Sequence, residues 1–81
     1  MSDVLDYVRN GINDVYFGRG EKFTAGGIEF DRCGFKYAGD VRDCNVNAVK
    51  VYEDRGLIWI ELYSSNAPVV VAGIPARHIT I

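Results

Sequence analysis

The sequence predicts an α+β domain: an N-terminal helix followed by a strongly curved, mostly antiparallel sheet, or open barrel, of about six short strands. Three observations carry this reading. Apolar residues near the start recur with a helical period. Beyond "FGRG" the period falls to two. The period-two runs are joined by short segments bearing glycine, proline or asparagine, and short connections favour antiparallel neighbours.

The helix comes first. Val4, Leu5, Val8, Ile12, Val15 and Tyr16 fall within about 120° of arc at 100° per residue, which makes one apolar face over residues 3–16. Ser2 is placed to cap the first turn, and Asp3 and Asp6 suit the positive end of the helix dipole. Asn10-Gly11 is the weak point, because a glycine inside a helix costs about 1 kcal/mol relative to alanine. The apolar stripe continues past it, which argues for one uninterrupted helix.

Strands are expected at 21–24 and 28–32, a hairpin turned by Gly26-Gly27, whose lack of a Cβ permits the positive φ of a tight turn. "CGFKYAGD" alternates the aromatics Phe35 and Tyr37 with Gly34 and Lys36 and suggests a strand over 34–38, and "VRDCNVN" reads as loop. The strongest signal is "NAVKVYEDRGLIWIELYSS", with strands over 47–53 and 57–63 around the turn "EDRG". Its phase points Ile58, Ile60 and Leu62 to the core and Trp59, Glu61 and Tyr63 to the opposite face. "SSNAP" is a turn, and strands over 69–72 and 77–81 end the chain.

The 81 residues make a single domain over 1–81, with 48% hydrophobic and 25% charged residues, ordinary for a globular protein. No apolar run approaches the roughly 18 residues that cross a bilayer, so no membrane partner is expected. The N-terminus has no apolar stretch of a signal peptide, and a cytoplasmic location is expected. Net charge is −2, whereas nucleic-acid binders usually show a basic face. Cys33 and Cys44 are too few for a disulfide scaffold, and free thiols are expected in a reducing compartment.

The tail resembles two families. Residues 70–77, "VVAGIPAR", are similar to the end motif of the hexapeptide-repeat acyltransferases. No hexad repeat precedes it, so the likeness is read as convergence on a strand–Gly–x–Pro turn. There Gly73 would relieve the backbone, and Pro75 would remove a donor that lacks a partner. "LIWIELYSSNAPVVVAGIPARHITI" also resembles the last third of SH3-like small barrels. That resemblance implies a 3₁₀ turn after Pro75 and a closing strand, with Trp59 near the family's ligand-surface tryptophan. His78 stands where the family has a tyrosine, and polyproline binding is not carried over.

Chemistry is sparse. Cys33, Cys44 and His78 match no zinc-ligand spacing. A Cys–His pair oriented by Asp31 or Asp43 is specified by nothing in the spacing. "FGRGEKF" is neither a Walker loop nor a dinucleotide fingerprint, and reads as a flexible connection. Acids at turns usually solvate them. No catalytic residue, metal or cofactor is expected, and the chain is not read as an enzyme.

The aromatics say more: five Tyr, four Phe and one Trp. Trp59 and Tyr63, with Tyr52 across the hairpin and Lys50 and Arg55 nearby, would form a partner-binding patch if left open, or a second core face if covered by the helix. The expectation is a small non-enzymatic protein-interaction module, an inhibitor or adaptor occupying the surface of a larger protein. In this it resembles phage or mobile-element accessory proteins. The alternative is an oligonucleotide-binding small barrel that stacks bases on the same aromatics beside a local basic patch. A homodimer is left open.

Overall fold

The computed structural model describes residues 2–31, 34–36, 46–65 and 67–81. Helix α1 (Ser2–Phe17) is followed by β1 (Lys22–Ala25), β2 (Ile28–Asp31), β3 (Gly34–Lys36), β4 (Ala48–Asp54), β5 (Leu57–Ser64) and β6 (Ala67–Pro75). A one-turn 3₁₀ helix, Ala76–His78, comes last. The α+β class and the antiparallel pairing are as the sequence predicts. The strands form two three-stranded sheets, β1-β2-β3 and β4-β5-β6, and no closed barrel forms among the described strands.

The helix is one piece. Val8, Ile12 and Val15 are buried, and Val4, Leu5 and Tyr16 pack at the margin of the core. Gly11 interrupts nothing because it has a packing role: a Cβ there would lie 2.3 Å from the Phe23 ring. The ring of Phe23 on β1 crosses the helix at this point and meets Tyr7, with centroids 5.4 Å apart. The propensity cost of Gly11 is offset by the close approach of β1.

The Gly26-Gly27 turn has the expected positive φ, and the second hairpin turns in the same way. Gly26 (φ 56) and Gly27 (φ 83) turn β1 into β2, and Arg55 (φ 56) and Gly56 (φ 82) turn β4 into β5. Two successive residues with positive φ match the right-handed twist of the flanking strands. Gly26 also joins the sheets: a Cβ on it would lie 2.3 Å from Cγ2 of Ile74, so the tip of the first hairpin rests on the inner side of β6.

Between these layers lies one core. Val8 and Ile12 of α1, Ile28 and Phe30 of β2, Ile58, Ile60 and Leu62 of β5 and Ile74 of β6 share it. The strand phase read from "LIWIEL" is correct: 58, 60 and 62 are buried, while 57, 59, 61 and 63 are half-exposed. The helix therefore packs against the inner face of β4-β5-β6 and leaves the outer face uncovered by its apolar stripe.

The tail departs from expectation. β6 runs from Ala67 to Pro75, longer than 69–72, and the strand expected over 77–81 is absent. Ile79 is buried and Ile81 is 66% exposed, whereas a strand would have put both on one side. The 3₁₀ turn takes its place: Ala76 N–H donates to the Gly56 carbonyl at 2.9 Å, and Ile79 N–H to the Ala76 carbonyl at 3.1 Å. Gly73 lies inside β6, not at a turn. Pro68 is accommodated by a bulge, where pairing shifts between Leu62 and Tyr63, one of the places where a sheet tolerates proline. Cys33, Cys44 and the "VRDC" stretch lie outside the described residues, as do the thiol and loop expectations that rest on them.

Candidate functional site

The candidate site is the outer face of β4-β5-β6. Register brings its residues together. Tyr52 is the cross-strand partner of Trp59, Lys50 of Glu61, and Ala48 of Tyr63. On the other side, Gly73 stands opposite Trp59 and Val71 opposite Glu61. Four of the five residues expected to bind a partner, Lys50, Tyr52, Trp59 and Tyr63, thus share one face. Arg55 is exposed in the turn at the end of the same hairpin.

At the centre is Glu61. Tyr52 Oη donates to Glu61 Oε2 at 2.5 Å, and Tyr63 Oη donates to Oε1 at 2.6 Å. Each carboxylate oxygen has its own phenol. These two hydroxyls, aided by Lys50, hold the Glu61 carboxyl below its ordinary value. The same bonds push Tyr52 up to about 12 and raise Tyr63, because losing a phenol proton beside a carboxylate is unfavourable. The three side chains form a fixed unit, carboxylate in the middle and an aromatic ring on each side.

Trp59 is fixed differently. Its six-membered ring lies over Gly73 on β6: a Cβ at Gly73 would be 2.8 Å from Cζ3 and 2.9 Å from Cη2 of Trp59. Gly73 shows no positive φ, so its lack of a side chain serves the ring and not the backbone. The glycine leaves the space that the six-membered ring of the indole occupies. Sequence reading missed this role, along with the tying of both tyrosines to Glu61. The Trp59–Gly73 contact depends on the β5–β6 register, which the bulge within β6 shifts by one residue and so hides from simple counting; the phenol bonds depend on side-chain reach within the regular β4–β5 hairpin.

The remaining candidates are placed as follows. His78 is exposed on the 3₁₀ turn. Among the described residues, no group of three His, Cys, Asp or Glu could hold a metal ion. The "FGRG" segment folds onto the end of α1. The Asp14 carbonyl accepts from Gly18 N–H at 3.1 Å and from Gly20 N–H at 2.9 Å, and Asp14 Oδ1 accepts from Arg19 N–H at 3.3 Å. A loop whose amides converge on an anion is a phosphate-binding geometry. Here two of the three amides go to a backbone carbonyl and only Arg19 N–H reaches the carboxylate, so the segment is a helix C-terminal cap and not an anion cradle. An open groove lies beside it, lined by Tyr7, Asn10, Gly11, Asp14 and Phe23.

No known family, curated protein or solved structure shows significant similarity to this chain. No described helix is long and apolar enough to cross a membrane.

Proposed function

We propose that the protein is a small non-enzymatic interaction module that docks the outer face of β4-β5-β6 onto a larger protein, acting as an inhibitor or adaptor. The observation that carries this reading is the Tyr52–Glu61–Tyr63 unit beside the Gly73-supported indole of Trp59. Aromatic side chains held in place before contact lose little conformational freedom on binding, and Trp and Tyr are the residues that most often dominate interface energetics. Glu61 favours a protein partner over a nucleic acid. Its carboxylate, stabilised in the charged form, stands among the rings on which bases would have to stack, where it repels phosphates.

The test is capture of partners on immobilised wild-type protein and on Trp59→Ala, with both protein and nucleic acid assayed in the eluates. The expected result is a protein retained by the wild type, with affinity lowered by about 2 kcal/mol or more in Trp59→Ala, roughly thirty-fold. A partner retained equally by both moves the binding surface away from this face. Nuclease-sensitive material lost from Trp59→Ala replaces this reading with the oligonucleotide one.

A further inference from the structure

The two edges of the β4-β5-β6 sheet differ. On the β4 edge, Arg9 Nη2 of α1 donates to the Val51 carbonyl at 3.1 Å. That carbonyl therefore points away from β5. In an antiparallel ladder the inward and outward positions alternate, so Ile58, Ile60 and Leu62 turn their backbone groups toward β6 and bond with Ile74, Ala72 and Val70. The Ala76 N–H to Gly56 carbonyl bond, 2.9 Å, continues the same ladder. Val71, Gly73 and Pro75 then face outward from β6. Pro75 has no N–H to offer, and neither has Pro68 at the bulge. What remains, among the described residues, is a short open edge: the N–H and C=O groups of Val71 and Gly73. No described strand pairs with it.

We propose that this edge pairs with the same edge of a second copy, antiparallel about a two-fold axis at Ala72. Val71 of each copy then faces Gly73 of the other. The outward groups are their own complement in this register, since each N–H meets a carbonyl at both pairs. Shifting the register two residues either way brings in Pro75, which cannot donate, or the bulged Val69. Side chains select the same arrangement. Val71 is 53% exposed on the outer face, and in the pair it stands opposite a residue without a Cβ. That absence leaves it room to reach the Trp59 ring lying over Gly73. Residues 69–74 carry no charge, so nothing opposes the approach of the two strands. The prolines stop the pairing from extending, and an isologous contact closes on itself as a dimer.

The inference is independent of any foreign partner and is tested on the purified chain. Sedimentation of the wild type from about 1 µM to about 1 mM, the weak end of specific association, should show the mass rising from 9.0 kDa toward twice that value. Over the same range the amides of Val71 and Gly73 should become protected from hydrogen exchange, and emission from Trp59, the sole tryptophan, should shift to the blue. Val71→Lys and Val71→Glu put like charges diagonally across the axis. Each alone should weaken association by roughly tenfold or more, and an equimolar mixture should recover it as a heterodimer in native mass spectrometry. A wild type that stays monomeric at the highest concentration overturns the proposal. So does association that leaves the Val71 and Gly73 amides unprotected.

Discussion

β5 is one strand with two unlike sides. Its inner side, Ile58, Ile60 and Leu62, is sealed in the core beneath α1 and β2. Its outer side, Trp59, Glu61 and Tyr63, is half-exposed, yet each of its side chains is held: the two phenols fix Glu61, and Gly73 supports Trp59. The inner side is held by volume and exclusion of water, which specify only that the residues be apolar and of the right size. The outer side is held by directed contacts, which specify particular residues. A surface held by directed contacts keeps its side chains in place, which is what the proposed docking face requires.

Ile60→Ala is the harshest test of this contrast. Ile60 is fully buried, and the truncation should cost ~2–5 kcal/mol by urea denaturation, part of it from the cavity left behind. A cost below ~1 kcal/mol would mean the inner side is not the core. Gly73→Ala should follow at ~1–3 kcal/mol, the range for overpacking, because its methyl group meets the indole. The cost should shrink when Trp59→Ala is added, and that coupling in a double-mutant cycle would sharpen the claim that the glycine exists for the ring. Trp59→Ala by itself should cost about 1 kcal/mol or less of stability while weakening partner binding. If it unfolds the chain, the two sides of β5 are not functionally distinct.

The smallest effect is on pH dependence. Glu61 is held below its ordinary value in the folded state, so its contribution is present above the ordinary carboxylate range and is lost as pH falls through the lowered value. Tyr52 is raised from 10.0 to about 12, so its contribution is complete below pH 10 and lost as pH rises toward about 12. Tyr52→Phe should flatten the stability profile at both ends, and NMR titration should find the Glu61 carboxyl moved back toward its usual value. An unchanged Glu61 titration would mean the short phenol contact contributes nothing.

Much of this was legible in the sequence. The 3.6-residue stripe placed the helix to within one residue at each end. The alternation in "LIWIEL" assigned the two faces of β5, since a side chain's face follows from parity alone. Gly26-Gly27 marked its turn because positive φ leaves few residue choices, and "EDRG" marked the other by the glycine at its end; that Arg55 also takes a positive φ was not legible. The end of the chain misled: "HITI" has strand parity, yet Ala76 and Ile79 close a 3₁₀ turn on Gly56 and leave no strand to pair. Parity is a local property, and a strand also needs an edge within reach.

The tertiary structure decided the rest. Composition and period determine which elements form and which side of each is apolar, because those depend on neighbours one to four residues away. They cannot say that the tip of one hairpin rests on Ile74, that α1 covers the inner face of β4-β5-β6, or that Glu61 finds two phenols. Such contacts join residues distant in sequence or depend on how far a side chain reaches, and the one that brings Trp59 over Gly73 also depends on a β5–β6 register that a bulge shifts by one residue. Gly73 shows the division most plainly. Its local conformation would allow another residue, and only the indole arriving from the neighbouring strand makes it a glycine.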